Sequence, residues 1–191
     1  ADVADLAASK LTGALPAISG AALTNLPAGG KVLQVVATNY APSYSTTSGS
    51  WIDVSGFSVN VTPSATTSKV KVELMCQIGT DDWFGINVVR KEAGQSDVIL
   101  NVGSDALGSK KASSFGSSHV AQWNIQLSAP FGLVFLDSPA TTNQLTYQVQ
   151  VVARFGSTAN TVCINRPFSW NNDAISGRVT ASNIIVSEIG V

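Results

Sequence analysis

The chain has 191 residues, 45% hydrophobic and only 12% charged, with a formal net charge of −1. That length allows one domain with a full core. The charged share is about half the usual ~25%; with a net charge of −1 nothing draws the chain to nucleic acid or an anionic membrane, and no run of about 18 apolar residues offers a membrane-spanning helix.

Ser, Thr, Asn and Gln fill the place of the missing charges. A surface that is polar but weakly charged suits a protein partly covered by copies of itself.

The N-terminus, DVADLAASKL, has room for a helical turn or two. Residues 11–30 then repeat themselves: Leu11-Thr12-Gly13-Ala14-Leu15-Pro16-Ala17 returns as Leu23-Thr24-Asn25-Leu26-Pro27-Ala28. Gly and Pro are too frequent there for a helix. The expected organisation is an extended leader, residues 1–30, and a β head, residues 31–191. Leu11, Leu15, Ile18, Leu23 and Leu26 cannot bury themselves within such a leader. Either it lies along its own head, or leaders of several chains pack about a common axis, where Gly and Ala allow close approach.

From Lys31 the pattern is β. KVLQVVAT is a strand with little polar interruption. WIDVSGFSVNV alternates through Ile52 and Val54, then changes phase at Gly56, so that Phe57, Val59 and Val61 fall in step. One extra residue at a glycine is the signature of a β-bulge. KVKVELMCQI places Val70, Val72, Leu74, Cys76 and Ile78 inside and Lys69, Lys71, Glu73, Met75 and Gln77 outside. FGINVVRK puts Phe84, Ile86 and Val88 on one face, and QWNIQLS does the same with Trp123, Ile125 and Leu127. FGLVFLD is apolar on both faces, as in a sandwich interior or a subunit contact. QLTYQVQVVARF lines up Leu145, Tyr147, Val149, Val151, Ala153 and Phe155, and TVCINRPF and NIIVSEI close the series.

Turn clusters such as APSYSTTSGS, TPSATTS and DSPATTN separate these strands. Short strands so punctuated predict an all-β fold, an antiparallel sandwich with jelly-roll connections. Strand parity sets Cys76 on the core face and turns Cys163 the other way, which predicts two thiols and no disulfide.

Catalytic chemistry is sparse. The single histidine, His119, starts a strand, and a neighbouring Ser on a strand points to the opposite face. No nucleophile elbow, no C-x-x-C and no H-E-x-x-H occurs, and one His with two distant Cys does not make a zinc site. Asp81 or Asp82 would need Asp137 or Asp173 across a sugar to form a glycosidase pair, and the sequence gives no reason for them to meet. Turn formation explains these acids. The expectation is no enzyme, no cofactor and no metal.

Two loops carry binding chemistry. TDDWFG holds Asp81, Asp82 and Trp83; SWNNDAISGR holds Trp170, Asn171, Asn172, Asp173 and Arg178. An aromatic plate beside amides and carboxylates suits a sugar ring, the competing reading being tryptophans packed under their own loops or against a neighbouring subunit.

The segments KVLQVV, TPSATTSKVKVEL, FLDSPATTNQLTYQVQV, INRPFSWNNDAISGR and ASNIIVSEI, behind the repetitive leader, resemble a recurrent C-terminal β domain of bacteriophage tail-fibre and virion appendage proteins, of the kind found in cyanophages and marine phages. The resemblance runs over about residues 8 to 190 and is weakest from Gly79 to Trp123. It implies a homotrimer without enzyme activity. The leader then serves trimerisation or virion attachment, through Leu11, Leu15, Ile18, Leu23 and Leu26. The implied partners are copies of the chain itself, other virion proteins and a host-surface glycan or protein, with no nucleic acid and no membrane insertion. The expected function is host adhesion by multivalent contact; the alternative is a capsid-decorating or head-fibre protein held by its leader.

Overall fold

The computed structural model describes residues 30–80, 83–103, 112–117, 128–153, 160–168 and 179–191. The leader with Leu11, Leu15, Ile18, Leu23 and Leu26, the strand around Trp123, and His119 lie outside these residues.

The described residues form eleven strands: β1 Lys31–Tyr40, β2 Tyr44–Thr46, β3 Ile52–Val61, β4 Lys69–Thr80, β5 Phe84–Glu92, β6 Val98–Leu100, β7 Phe115–Ser117, β8 Ala129–Asp137, β9 Leu145–Val152, β10 Val162–Ile164 and β11 Ser182–Gly190. One sheet, here sheet A, runs β1-β11-β4-β10-β2, with β8 on the other side of β4; sheet B runs β3-β9-β5-β6, with β7 also against β5. The strand pairings are antiparallel. The long strands alternate between sheets, from β1 to β3, β4, β5, β8, β9 and β11, so each step from one long strand to the next crosses the sandwich. That wrapping, β1-β11-β4-β8 over β3-β9-β5-β6, is the jelly roll expected from the turn spacing.

The inward faces follow the period of 2. Val70, Val72, Leu74, Cys76 and Ile78 of β4 meet Val59, Val61, Ile86, Val88, Tyr147, Val149, Ile184 and Val186 in one core cluster. Tyr40 stacks on Phe57 with ring centroids 4.7 Å apart. Phe84, Phe115 and Phe131 close the β5, β7 and β8 side, with Phe84 edge-on to Phe131 at 5.2 Å.

The irregularity in β3 is larger than the single extra residue expected. Its register with β9 jumps from Asp53↔Gln150 to Ser58↔Gln148, so residues 54–57 bulge opposite Val149 alone. Gly56 takes φ +78°, the left-handed region that a glycine enters at least cost. The Gln148 side chain fills the gap: its Nε2 donates to the carbonyls of Val54 (2.9 Å), Phe57 (3.3 Å) and Val149 (2.8 Å). Ladder bonds lost to the bulge are thereby replaced, and Val54 and Phe57 both reach the core. Ile52, in step with Val54 by sequence, is instead 37% exposed as the first residue of this edge strand.

Candidate functional site

The sandwich has two distinct ends. β1 begins beside Gly190, and β11 carries that end across to Lys69, the first residue of β4. The other end is where β4 finishes at Thr80, roughly 35 Å further on at about 3.3 Å per residue. Trp83 stands there, in the link to β5, with 44% of its surface exposed. Its carbonyl accepts from Asn160 Nδ2 at 2.7 Å. The approach to the second loop reaches the same end. A Cβ placed on Gly79 would lie 2.4 Å from the Arg166 carbonyl oxygen and 2.8 Å from the Phe168 nitrogen, so residues 166–168 cross directly over β4. Thr80 Oγ1 also bonds the Thr161 carbonyl at 3.1 Å. The described flanks of both loops thus meet at the end remote from Gly30. Asp81, Asp82, Trp170, Asn171, Asn172, Asp173 and Arg178 lie outside the described residues.

Asp137, the one described member of the glycosidase pairings, is committed elsewhere. Its oxygens accept from Arg90 Nη1 at 2.6 and 2.7 Å, from the Tyr147 hydroxyl at 2.8 Å and from the Ser138 nitrogen at 2.8 Å, with 8% of the residue exposed. Burial, and then the Asp137 carboxylate, push the Tyr147 hydroxyl well above its ordinary range. Cys76 and Cys163 are both buried and form no disulfide, and Cys163 lies outside the core cluster as parity requires. Burial raises the Cys76 thiol to about 12, leaving it protonated and unreactive at neutral pH. Among the described residues no cluster of His, Cys, Asp and Glu gathers that could hold a metal ion.

Two further locks escaped sequence reasoning. Glu188 is fully buried, and its carboxylate accepts from Gln34 Nε2 (2.6 Å), the Ser64 nitrogen (2.7 Å) and hydroxyl (2.6 Å), and the Ser68 hydroxyl (2.7 Å). Burial pushes its carboxyl up, and these donors outweigh it and hold the group at about 2. Asn165, also fully buried and at φ +64°, donates through Nδ2 to the carbonyls of Tyr40 (2.7 Å) and Pro42 (2.9 Å) and accepts the Ser182 hydroxyl at 2.6 Å. Its backbone bonds the Gln77 carbonyl and the Thr180 nitrogen. The segments TPSATTS, LDSPATT, INR and the terminal EI therefore owe their distinctive polar residues to turn locking. The signal that could have found them is an acid or amide on the inward parity of a strand end.

The outer faces of the sandwich differ. The middle strands of sheet B carry paired polar groups, with exposed apolar residues at its edge strands in Ile52, Val98 and Ile99: Thr146 bonds Asn60 at 2.7 Å, Gln150 bonds Asp53 at 2.7 Å, and Lys91 pairs with Asp53 at 2.6 Å and Asp97 at 3.4 Å. Sheet A shows water Val32 (54% exposed), Leu33 (45%) and Val35 (59%) on β1, Met75 (44%) on β4, and Val134 (66%) and Leu136 (59%) on β8. FGLVFLD is thus apolar on both faces, with Phe131, Leu133 and Phe135 turned to the core.

No family model matches the chain, and no curated protein does. Among solved structures it is similar to the infectious bursal disease virus VP2 subviral particle, at 12% identity and TM-score 0.38 over 82% of this chain and 39% of that one. It is also similar to the T=1 particles derived from infectious bursal virus, at 13% identity and TM-score 0.40 over 93% of this chain and 44% of that one. The chain spans less than half the length of these proteins, and the jelly roll rests on its own strand order.

Proposed function

We propose that the chain is a structural protein of a virus particle, the head of a bacteriophage fibre or spike that works as a homotrimer and holds the host surface through several weak contacts, with a glycan as ligand. The observation that carries this reading is the polarity of the sandwich. The chain enters the head at Gly30, and the exposed Trp83 stands at the opposite end. A fibre tip needs that separation between its attached end and its exposed end. The likeness of the sequence to fibre domains supports the same reading, and repeated weak sites on one rigid assembly raise avidity without any strong single site.

Electron microscopy of particles labelled with antibody to this chain tests it. Label at the tail supports adhesion, label in many copies over the shell supports the capsid-decorating role, and purified particles without label overturn both. The reading includes no catalysis: incubation with host polysaccharide should release no reducing ends. Release that disappears in Asp81→Asn or Asp173→Asn would replace adhesion with depolymerisation.

A further inference from the structure

We propose that the outer face of sheet A is the contact between copies of this chain, the β8 strip of one copy lying against the β1 strip of the next around a closed ring. The ring is three-membered on the reading above, and the inference rests on that reading for its number alone.

Register fixes the face. Val35, Ser187, Lys71 and Leu136 form one row across it, and Ala37, Ile185, Glu73 and Val134 form the next. A bulge between Val32 and Gln34 keeps Gln34 inward on Glu188. Val32 pairs with Ile189 on this face, and Leu33 lies beside Gly190. Val32, Leu33 and Val35 on β1 and Val134 and Leu136 on β8 form two strips that each expose on the order of 200 to 250 Å², each smaller than the ~300 to 600 Å² of the largest apolar patch on a typical monomer, and a ring covers both strips of every copy. The exposed Asn39 and the half-buried Gln77 and Asn183 continue this face towards the Thr80 end, and the contact takes in such polar neighbours to approach the roughly 800 Å² per partner of a stable interface.

Strands at sheet edges are ordinarily guarded by charge or proline. β1 carries a charge only at Lys31, its first residue; β8 has Pro130 near its start and one acid, Asp137, turned inward onto Arg90 and Tyr147. The middle of each strand is unguarded. A face-on pair about a two-fold axis would also cover both strips, but it would bury β4 at the centre, where Lys69, Lys71 and Glu73 point outward and Lys71 pairs with Glu73 at 3.0 Å. Interface centres are depleted of charge, and buried ions are costly. The two strips lie three strand spacings apart, about 14 Å. A heterologous contact joins one strip to the other and leaves the charged row at its rim, and repetition of such a contact closes a ring.

Light scattering on the full chain and on Val35→Lys and Val134→Lys tests this. Both sites are more than half exposed, so the β circular dichroism should persist. Each single variant should lose the ring, with a threefold fall in mass. Mixing the two variants should restore two-chain particles, because the intact β8 strip of one fits the intact β1 strip of the other. A face-on pair would instead set the two lysines opposite each other and leave single chains. Full-size rings in both variants, a two-chain wild type, or a mixture that stays single-chain overturns the inference. A wild type that is a single chain at micromolar concentration removes the homotrimer with it. Unlabelled virus particles remove the proposed function and leave the contact standing.

Discussion

Glu188 makes the fold sensitive to acid in a defined window. Its folded pKa, about 2, lies below the ordinary 4.5. The carboxylate therefore contributes its full stabilisation above pH 4.5 and loses it as pH falls from 4.5 towards 2. We expect the melting temperature of the wild type to fall through that window. Glu188→Gln should show a flatter acid limb and a lower melting temperature at pH 7, because the amide nitrogen would meet the Ser64 and Ser68 donors. An acid limb as steep as that of the wild type would place the titration elsewhere. Two left-handed residues give a second test, because they share a backbone region and differ in their bonds. Ala140, at φ +54° in an exposed turn, gains nothing there, and relief of left-handed strain is worth about 1 to 2 kcal/mol less the added freedom of the unfolded chain. Ala140→Gly should therefore raise stability by up to about 1 kcal/mol. Asn165→Gly relieves the same backbone but removes the acceptor of the buried Ser182 O–H, whose oxygen still accepts from the Gln77 nitrogen, and a donor to the Tyr40 carbonyl, and at about 1 to 3 kcal/mol for a buried unsatisfied group it should lower stability. Urea unfolding of the two variants measures both, and equal signs would show that backbone strain outweighs bonding at Asn165.

At the level of elements, two glycines distinguish a yielding contact from an unyielding one. On Gly85, a Cβ would meet Trp51 Cη2 at 2.7 Å and Val152 Cγ1 at 3.0 Å, both side-chain atoms that can shift. On Gly79 it would meet backbone at 2.4 and 2.8 Å, so the whole crossing of residues 166–168 must lift. Gly79→Ala should cost several kcal/mol and Gly85→Ala about 1 to 3, measured as shifts in the urea midpoint. A smaller loss at Gly79 would mean that the crossing is loosely held. This crossing was invisible in the sequence, and the reason is physical. Alternation records which face of a strand is buried, so β4 could be read residue by residue and the phase change at Gly56 located the bulge in β3. It does not record what passes over the end of a strand. The size of the β3 bulge was hidden for a related reason: Gln148, four residues wide in its effect, is on β9. The place of Trp83 in the link between two strands could be read from its turn context. The locks at Glu188, Asn165 and Asp137 could not, since their donors come from Ser64, Ser68, Ser182 and Arg90, distant in sequence and brought close only by the wrap.

At the scale of the whole molecule, the proposed function and the proposed contact together would separate three jobs in space: entry at Gly30, contact between copies on the outer face of sheet A, and host contact at the far end. That separation predicts variants whose failures differ. Trp83 is 44% exposed, and it is its carbonyl that accepts from Asn160. Trp83→Ala should therefore leave the oligomer and its melting temperature nearly unchanged, within about 0.5 kcal/mol as for a surface site. On the proposed function, binding to host cells should weaken in the same variant, because it lacks the ring proposed to cover a sugar face. Val134→Lys, remote from that end, should leave each site intact and abolish their cooperation. Linked sites gain about 10² to 10⁴ in avidity over single ones, so whole-cell binding by this variant should fall by a factor in that range, while binding of a soluble monovalent fragment of the host glycan stays constant. Titration of intact cells and of the glycan fragment, each with both variants, reads the four outcomes. If Trp83→Ala dissociates the oligomer, the ring is a packing residue and the far end loses its place in adhesion. If Val134→Lys lowers affinity for the monovalent fragment, the host site is shared between copies and the three jobs are not separate.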